Sequence, residues 1–203
     1  MKWKVFGLII FILMLVVVAF GLFFWTYKKE IAERYLSKTL HVPVTISKLE
    51  YSNGKIAFTN LWIGNPHGFH TKTALSCNRM TLSSFQVEGG KIFIETIEMD
   101  GLFVDIEYRN QLGTNWEAIL SPKIENKKRF LVPNLTLRNL TVTTIDAQSQ
   151  AKEYPVIPAI ELHHLTDATG TTLERALLTV IYAEALKIKS EAENTALTSL
   201  YKL

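Results

Sequence analysis

The residues best suited to chemistry in this 203-residue chain are its histidines, its acids and its one cysteine. His67 and His70, in "NPHGFH", have a spacing that can place two imidazoles on one cation. A metal site needs further donors, and no acid or cysteine stands close to them in sequence. Gly68 and Phe69 suit a turn, so the stretch reads as a corner and no metal is expected. His163 and His164 are adjacent in a strand-like run. Their side chains would point to opposite faces and could not readily share a cation. Cys77 has no partner for an intramolecular disulfide. It lies two residues after Leu75 in a strand pattern, which favours a packed thiol over a reactive one. Asp105 and Glu107 fall on the parity opposite Val104 and Ile106, so both are expected to face solvent. With Asp100 they make no convincing acid–base pair. The sequence has no P-loop, dinucleotide fingerprint or G-x-S-x-G motif. The chain reads as a non-enzyme with no cofactor.

Strand patterns dominate the elements that must hold these residues. They share a template: apolar, x, apolar, x, x, apolar, x, apolar. Val44-Ile46-Leu49-Tyr51, Ile56-Phe58-Leu61-Ile63, Leu75-Cys77-Met80-Leu82, Ile92-Ile94-Ile97-Met99 and Leu135-Leu137-Leu140-Val142 all fit it. Ile160-Leu162-Leu165 is a truncated copy, and Leu102-Val104-Ile106-Tyr108 alternates without the slip. Asn134-Leu-Thr136 and Asn139-Leu-Thr141 match a glycosylation acceptor, but the template already explains them. A two-residue step moves the apolar set to the other parity. The strand must then bulge to restore its face, or cross between environments. The repeated break predicts a strongly curved sheet with a concave apolar face. Asn53-Gly54, Gly89-Gly90 and Asp100-Gly101 read as turns, which implies antiparallel pairing, mostly between neighbours.

Helices are expected at both ends. Val5 to Trp25 has 21 residues and no charge, enough for a helix to span roughly 30 Å of bilayer. Trp3, Trp25 and Tyr27 flank it at interfacial positions. The run is too long for the core of a cleaved signal peptide and lacks a small-x-small site after it. The expected order is a cytoplasmic tail at 1–4, an anchor at 5–27, a juxtamembrane helix at 28–41 and a β domain at 42–170. A C-terminal amphipathic helix at 171–193 and a frayed tail at 194–203 follow. Thr171-x-x-Glu174 fits a capping box for that last helix, which would pack on or near the sheet. A partner-binding or membrane-surface role is its other reading. Trp116, Ile119 and Leu120 would form a short helical turn on the sheet end. The net charge of +3 leaves no basic stripe for nucleic acid.

This order of parts resembles the amino-terminal region of the AsmA-like family of bacterial envelope proteins. The matching pieces are the anchor, the strand pair at 44–63, "GNPHGF", "IETIEMDGLFVDIEY", "GTNW" and "FLVPNLTLRNLTVTTID". The resemblance implies a single pass in the inner membrane, with a periplasmic body. It also implies a mainly β fold forming an apolar groove, with a part in lipid transport or outer-membrane assembly. Membrane lipid is then the expected partner. Groove lining is expected from Ile56, Phe58, Ile92, Ile94, Val104, Ile106, Leu135 and Leu137. About 175 residues beyond the anchor cannot bridge an envelope, so such a short member would act near the inner membrane. A strand followed by Asn-Pro is also similar to the late-embryogenesis-abundant type of β-sandwich. That alternative implies a closed core and an adaptor module docking an envelope protein.

Overall fold

The computed structural model describes residues 27–110, 112–121, 129–166 and 172–200. The expected cytoplasmic tail and all of the anchor except Tyr27 lie outside them. No helix among the described residues is long and apolar enough to cross a membrane.

Helix α1 covers residues 27–40 and ends at His41, whose φ is 58°, just ahead of Pro43. Eight strands follow: β1 Val44–Ser52, β2 Lys55–Gly64, β3 Thr73–Glu88, β4 Lys91–Arg109, β5 Gly113–Thr114, β6 Arg129–Ile145, β7 Ala151–Glu153 and β8 Ile157–Thr166. Helix α2, Asn115–Leu120, separates β5 from β6, and α3, Leu173–Leu200, follows β8. One connected sheet runs β1-β2-β3-β4-β6-β7, with β5 on β4 and β8 on β6. A single sheet covered by helices is not a sandwich of two.

Purely antiparallel pairing between neighbours does not hold. Strands β4 and β6 pair in parallel, which requires the crossover that carries β5 and α2. Asp100-Gly101 is not a hairpin either, because β4 runs through it for 19 residues. Asn53-Gly54 and Gly89-Gly90 are the true two-residue turns, with φ positive at all four positions.

The phase slips resolve as aligned insertions. Ile46 pairs with Leu61 and Leu49 with Phe58, so apolar meets apolar on both sides of the slip and the register is unchanged. Ser47 and Asn60 lie between those pairs. By the same reading Asn60 faces Asn78, Asn78 faces Gly101, and Gly101 is level with Asn139. Asn60, Gly101 and Asn139 have φ of 49°, 62° and 51°. A second line joins Ser84, Glu95, Pro133 and His164, with φ of 57° at Ser84 and 61° at His164. Each left-handed residue turns its strand and restores the apolar set to one face. Ile94, Ile97, Met99, Leu102, Val104 and Ile106 of β4 are therefore all buried together. The sheet folds along two creases, as an ordinary bulge would bend a single strand. Asn is the side chain that tolerates this region best.

Helices cover both the edge and the face. In α1, Ser37 Oγ accepts the Val44 amide at 2.9 Å and Glu33 Oε1 accepts the Ile46 amide at 2.7 Å. These bonds occupy amides that edge strand β1 would otherwise present to another chain. Leu177, Leu178, Ile181, Ala185 and Ile188 of α3 are buried in the sheet core. The cap of α3 is Thr172, whose hydroxyl accepts the Arg175 amide at 3.4 Å; Thr171 lies outside the described residues. The helix runs to Leu200, past the bound of 193 expected for it, and its last turns hold no glycine or proline.

Gly101→Ala tests the first crease. A Cβ at Gly101 would clash with the Asn78 side-chain amide and would sit at φ 62°. A destabilisation of about 1–2 kcal/mol is expected in chemical unfolding, only partly relieved by Asn78→Ser because the backbone strain persists.

Candidate functional site

The apolar face is the largest candidate surface, and the structure divides it. Ile94, Val104, Ile106, Leu135 and Leu137 are no more than 2% exposed. They belong to the core that α3 also enters. Ile56 and Phe58 share the face, through the rows Ile56-Leu82-Ile97-Leu135 and Phe58-Met80-Met99-Leu137. Those two residues and Ile92 are only half-buried. Between α1, α3 and the sheet a cavity of about 70 Å³ remains, lined by Leu36, Leu40, Leu61, Leu75, Met99 and Leu177 among others. A cavity of about 150 Å³ holds one benzene, so a space less than half that size has no room for an acyl chain.

A polar corner sits on the opposite face. Asp105 and Glu107 do not face solvent: they are 3% and 0% exposed. Beyond Leu75, strand β3 no longer pairs with β4, and other groups take its place. Asn115 Oδ1 accepts the Glu107 amide at 3.0 Å, and Asn115 Nδ2 donates to Asp105 O at 2.9 Å. Trp116 Nε1 donates to the same carbonyl at 2.8 Å. The side chains of α2 thus stand in for a strand. A capping box positions them: Thr114 Oγ1 accepts the Glu117 amide, and Glu117 Oε2 accepts the Thr114 amide. Trp116 stacks on Tyr182 of α3 with centroids 5.5 Å apart, so α2 ties the corner to the covering helix.

The turn after β2 closes over this corner. Glu107 accepts the amides of His70 and Thr71 at 2.8–2.9 Å, the Thr71 hydroxyl at 3.0 Å and Arg109 Nε at 3.0 Å. His70 Nδ1 lies 3.1 Å from the same carboxylate. Asn65 Nδ2 donates to Thr71 and Thr73, and Asn65 Oδ1 accepts from Asn115. Burial pushes the Glu107 carboxyl up, but these donors outweigh it and hold it below its usual range. Asp105 goes the other way. Burial raises it to about 6, a Thr71 hydrogen bond opposes the rise, and the Glu107 charge adds to it. Asp105 Oδ1 has no hydrogen-bond partner.

The other sequence candidates fall apart from this corner. His67 is exposed. His163 and His164 are exposed with ring centroids 6.5 Å apart, and His163 Nδ1 lies 3.3 Å from Asn134 Oδ1. Among the described residues no three metal-ligating side chains gather. The Cys77 thiol donates to Arg79 O and Asp100 O, and burial pushes it up to about 11, which leaves little thiolate to react. Parity alone assigns Asp105 and Glu107 to solvent, so the local pattern does not reveal the buried pair. A strand in mid-sheet must cover both faces, and Asn65 and Asn115 were the flanking signal. Comparison with family models, with curated proteins and with solved structures gives no match.

Asp105 holds its proton more tightly folded than unfolded. Its stabilising contribution is complete below about pH 4 and is lost as pH rises through about 6. The difference between 3.8 and about 6 corresponds to on the order of 3 kcal/mol. Asp105→Asn should raise stability at pH 8 by up to that amount and do little at pH near 4. Glu107→Ala should destabilise by about 3 kcal/mol, since it strands Arg109 and two amides. Unfolding of the full chain in mild detergent, followed across pH, checks both.

Proposed function

We propose that this chain is a non-enzymatic, inner-membrane-anchored protein of AsmA-like type, with its amino terminus in the cytoplasm and its body in the periplasm. It binds lipid acyl chains on its curved sheet and supports lipid transport or outer-membrane assembly. The observation that carries this reading is the incomplete cover of the apolar face. Under α3 the face is sealed, but the same rows continue to Ile56, Phe58, Leu82 and Ile92, which are half-buried. Tyr51, Phe85 and Val87, also on this face, are 59%, 41% and 62% exposed. An acyl chain laid there gains roughly 25 cal/mol per Å² of apolar area removed from water. The uncharged run at 5–25 and the AsmA-like motifs support the location.

An adaptor module is the second reading, favoured by the sealed core of Ile94, Val104, Ile106, Leu135 and Leu137. There the sheet is closed by its own helix and its outer surface docks an envelope protein.

Uptake of a fluorescent phosphatidylethanolamine by the delipidated full chain separates the two. The lipid reading expects saturable uptake, weakened about tenfold by Ile56→Asp or Ile92→Asp, the equivalent of about 1.4 kcal/mol of contact. No uptake, or uptake indifferent to both variants in folded protein, favours the adaptor.

A further inference from the structure

We infer that the hairpin-tip end of the sheet rests on the surface of the bilayer, with its exposed apolar residues among the lipid headgroups. This rests on the reading of residues 5–25 as an anchor and adds to it the face that meets the membrane.

The direction of α1 is the first support. Glu33 bonds the Ile46 amide and Ser37 the Val44 amide, so the helix runs antiparallel to β1. Its N-terminal end therefore points toward Ser52 and the Asn53-Gly54 turn. The β3–β4 turn and the start of β6 lie at the same end, because Ser52 is level with Lys55, Ser83, Thr96 and Asn134. Tyr27, the first described residue of α1, therefore lies at this end, and the uncharged run at 5–25 precedes it in the chain.

Side-chain chemistry is the second support. Tyr27 and Ile31 of α1 are exposed here, as are Tyr51, Phe85, Val87 and Leu131. They do not share one face of the sheet. Phe85 and Val87 pair with Ile94 and Ile92 on the concave side, whereas Leu131 pairs with Phe93 on the other. A ligand held in a groove needs one apolar face; a tip set into a bilayer uses both. Lys55, Lys91 and Arg129 are exposed around these residues, and Lys91 is paired in register with Arg129. Lys28 and Lys29 of α1 add to them, and the acids at this end are Glu30, Glu88 and Glu95. A cationic fringe around apolar side chains matches an anionic lipid surface. The end that carries the Asn65–Thr71 corner and the Ser149 turn is built mainly from hydrogen-bonded polar groups, with Leu112 exposed beside Gly68.

Single introduced cysteines can test this, because the buried Cys77 thiol resists labelling. The full chain with Val87→Cys or Ser149→Cys is labelled with a nitrobenzoxadiazole dye and reconstituted in vesicles of phosphatidylethanolamine and phosphatidylglycerol. The label at 87 should shift to the blue and be quenched by headgroup-depth doxyl lipid, and the label at 149 should show neither effect. If the chain floats with vesicles but the label at 87 is not quenched, the tip is not on the bilayer and the anchor reading survives. A blue shift at 87 without lipid quenching points to a protein occupant and also overturns the inference. If the chain does not float, the anchor reading fails together with it.

Discussion

Each long strand carries an extra residue, and the extra residues lie opposite one another. An isolated insertion would throw one strand out of register and turn its apolar set outward. Aligned insertions leave every pairing intact, as Ile46 with Leu61 and Leu49 with Phe58 show. The left-handed backbone recurs along that line at Asn60, Gly101 and Asn139, while Ser47 and Asn78 on the same line lie outside that region. Side chains reinforce the line: Asn139 Nδ2 donates to Asp100 Oδ1 at 2.7 Å across the parallel pair. A sheet creased in this way has an inside, and the placement of the helices follows from the need to cover it.

Cover is unequal at the two ends. Near the Asn65–Thr71 turn both faces of β4 are covered: α3 lies over the apolar side, and α2 with the turn lies over Asp105 and Glu107. Burial of Asp105 and Glu107 is an expense that the amides and hydroxyl of the turn offset for Glu107 but not fully for Asp105. The corner is a clamp, and its histidines are incidental to it except where His70 touches Glu107. Toward the hairpin tips the cover ends and apolar side chains meet solvent on both faces. Such a division suits a molecule that is rigid at one end and adhesive at the other.

Much of this was legible in the residues. The five templates located the strands, and the repeated slip correctly implied bending. The Asn53-Gly54 hairpin, the packed Cys77 and the buried Trp116 are where periodicity put them. Three features were not legible, each for a physical reason. Asp100-Gly101 looks like a hairpin because glycine serves a crease and a turn through the same positive φ. Parallel pairing of β4 with β6 is a long-range choice that local pattern does not encode. The burial of Asp105 and Glu107 depends on a loop and a helix that come to lie over the strand only in the fold.

Backbone NMR of the full chain in micelles tests the crease most directly. Interstrand contacts should show Ile46 opposite Leu61 and Leu49 opposite Phe58. Asn60 and Asn139 should give the strong intraresidue amide-to-Hα contact of a positive φ. A one-residue change of register across Asn60, or an extended backbone at both asparagines, would contradict the creased sheet on which the whole account rests.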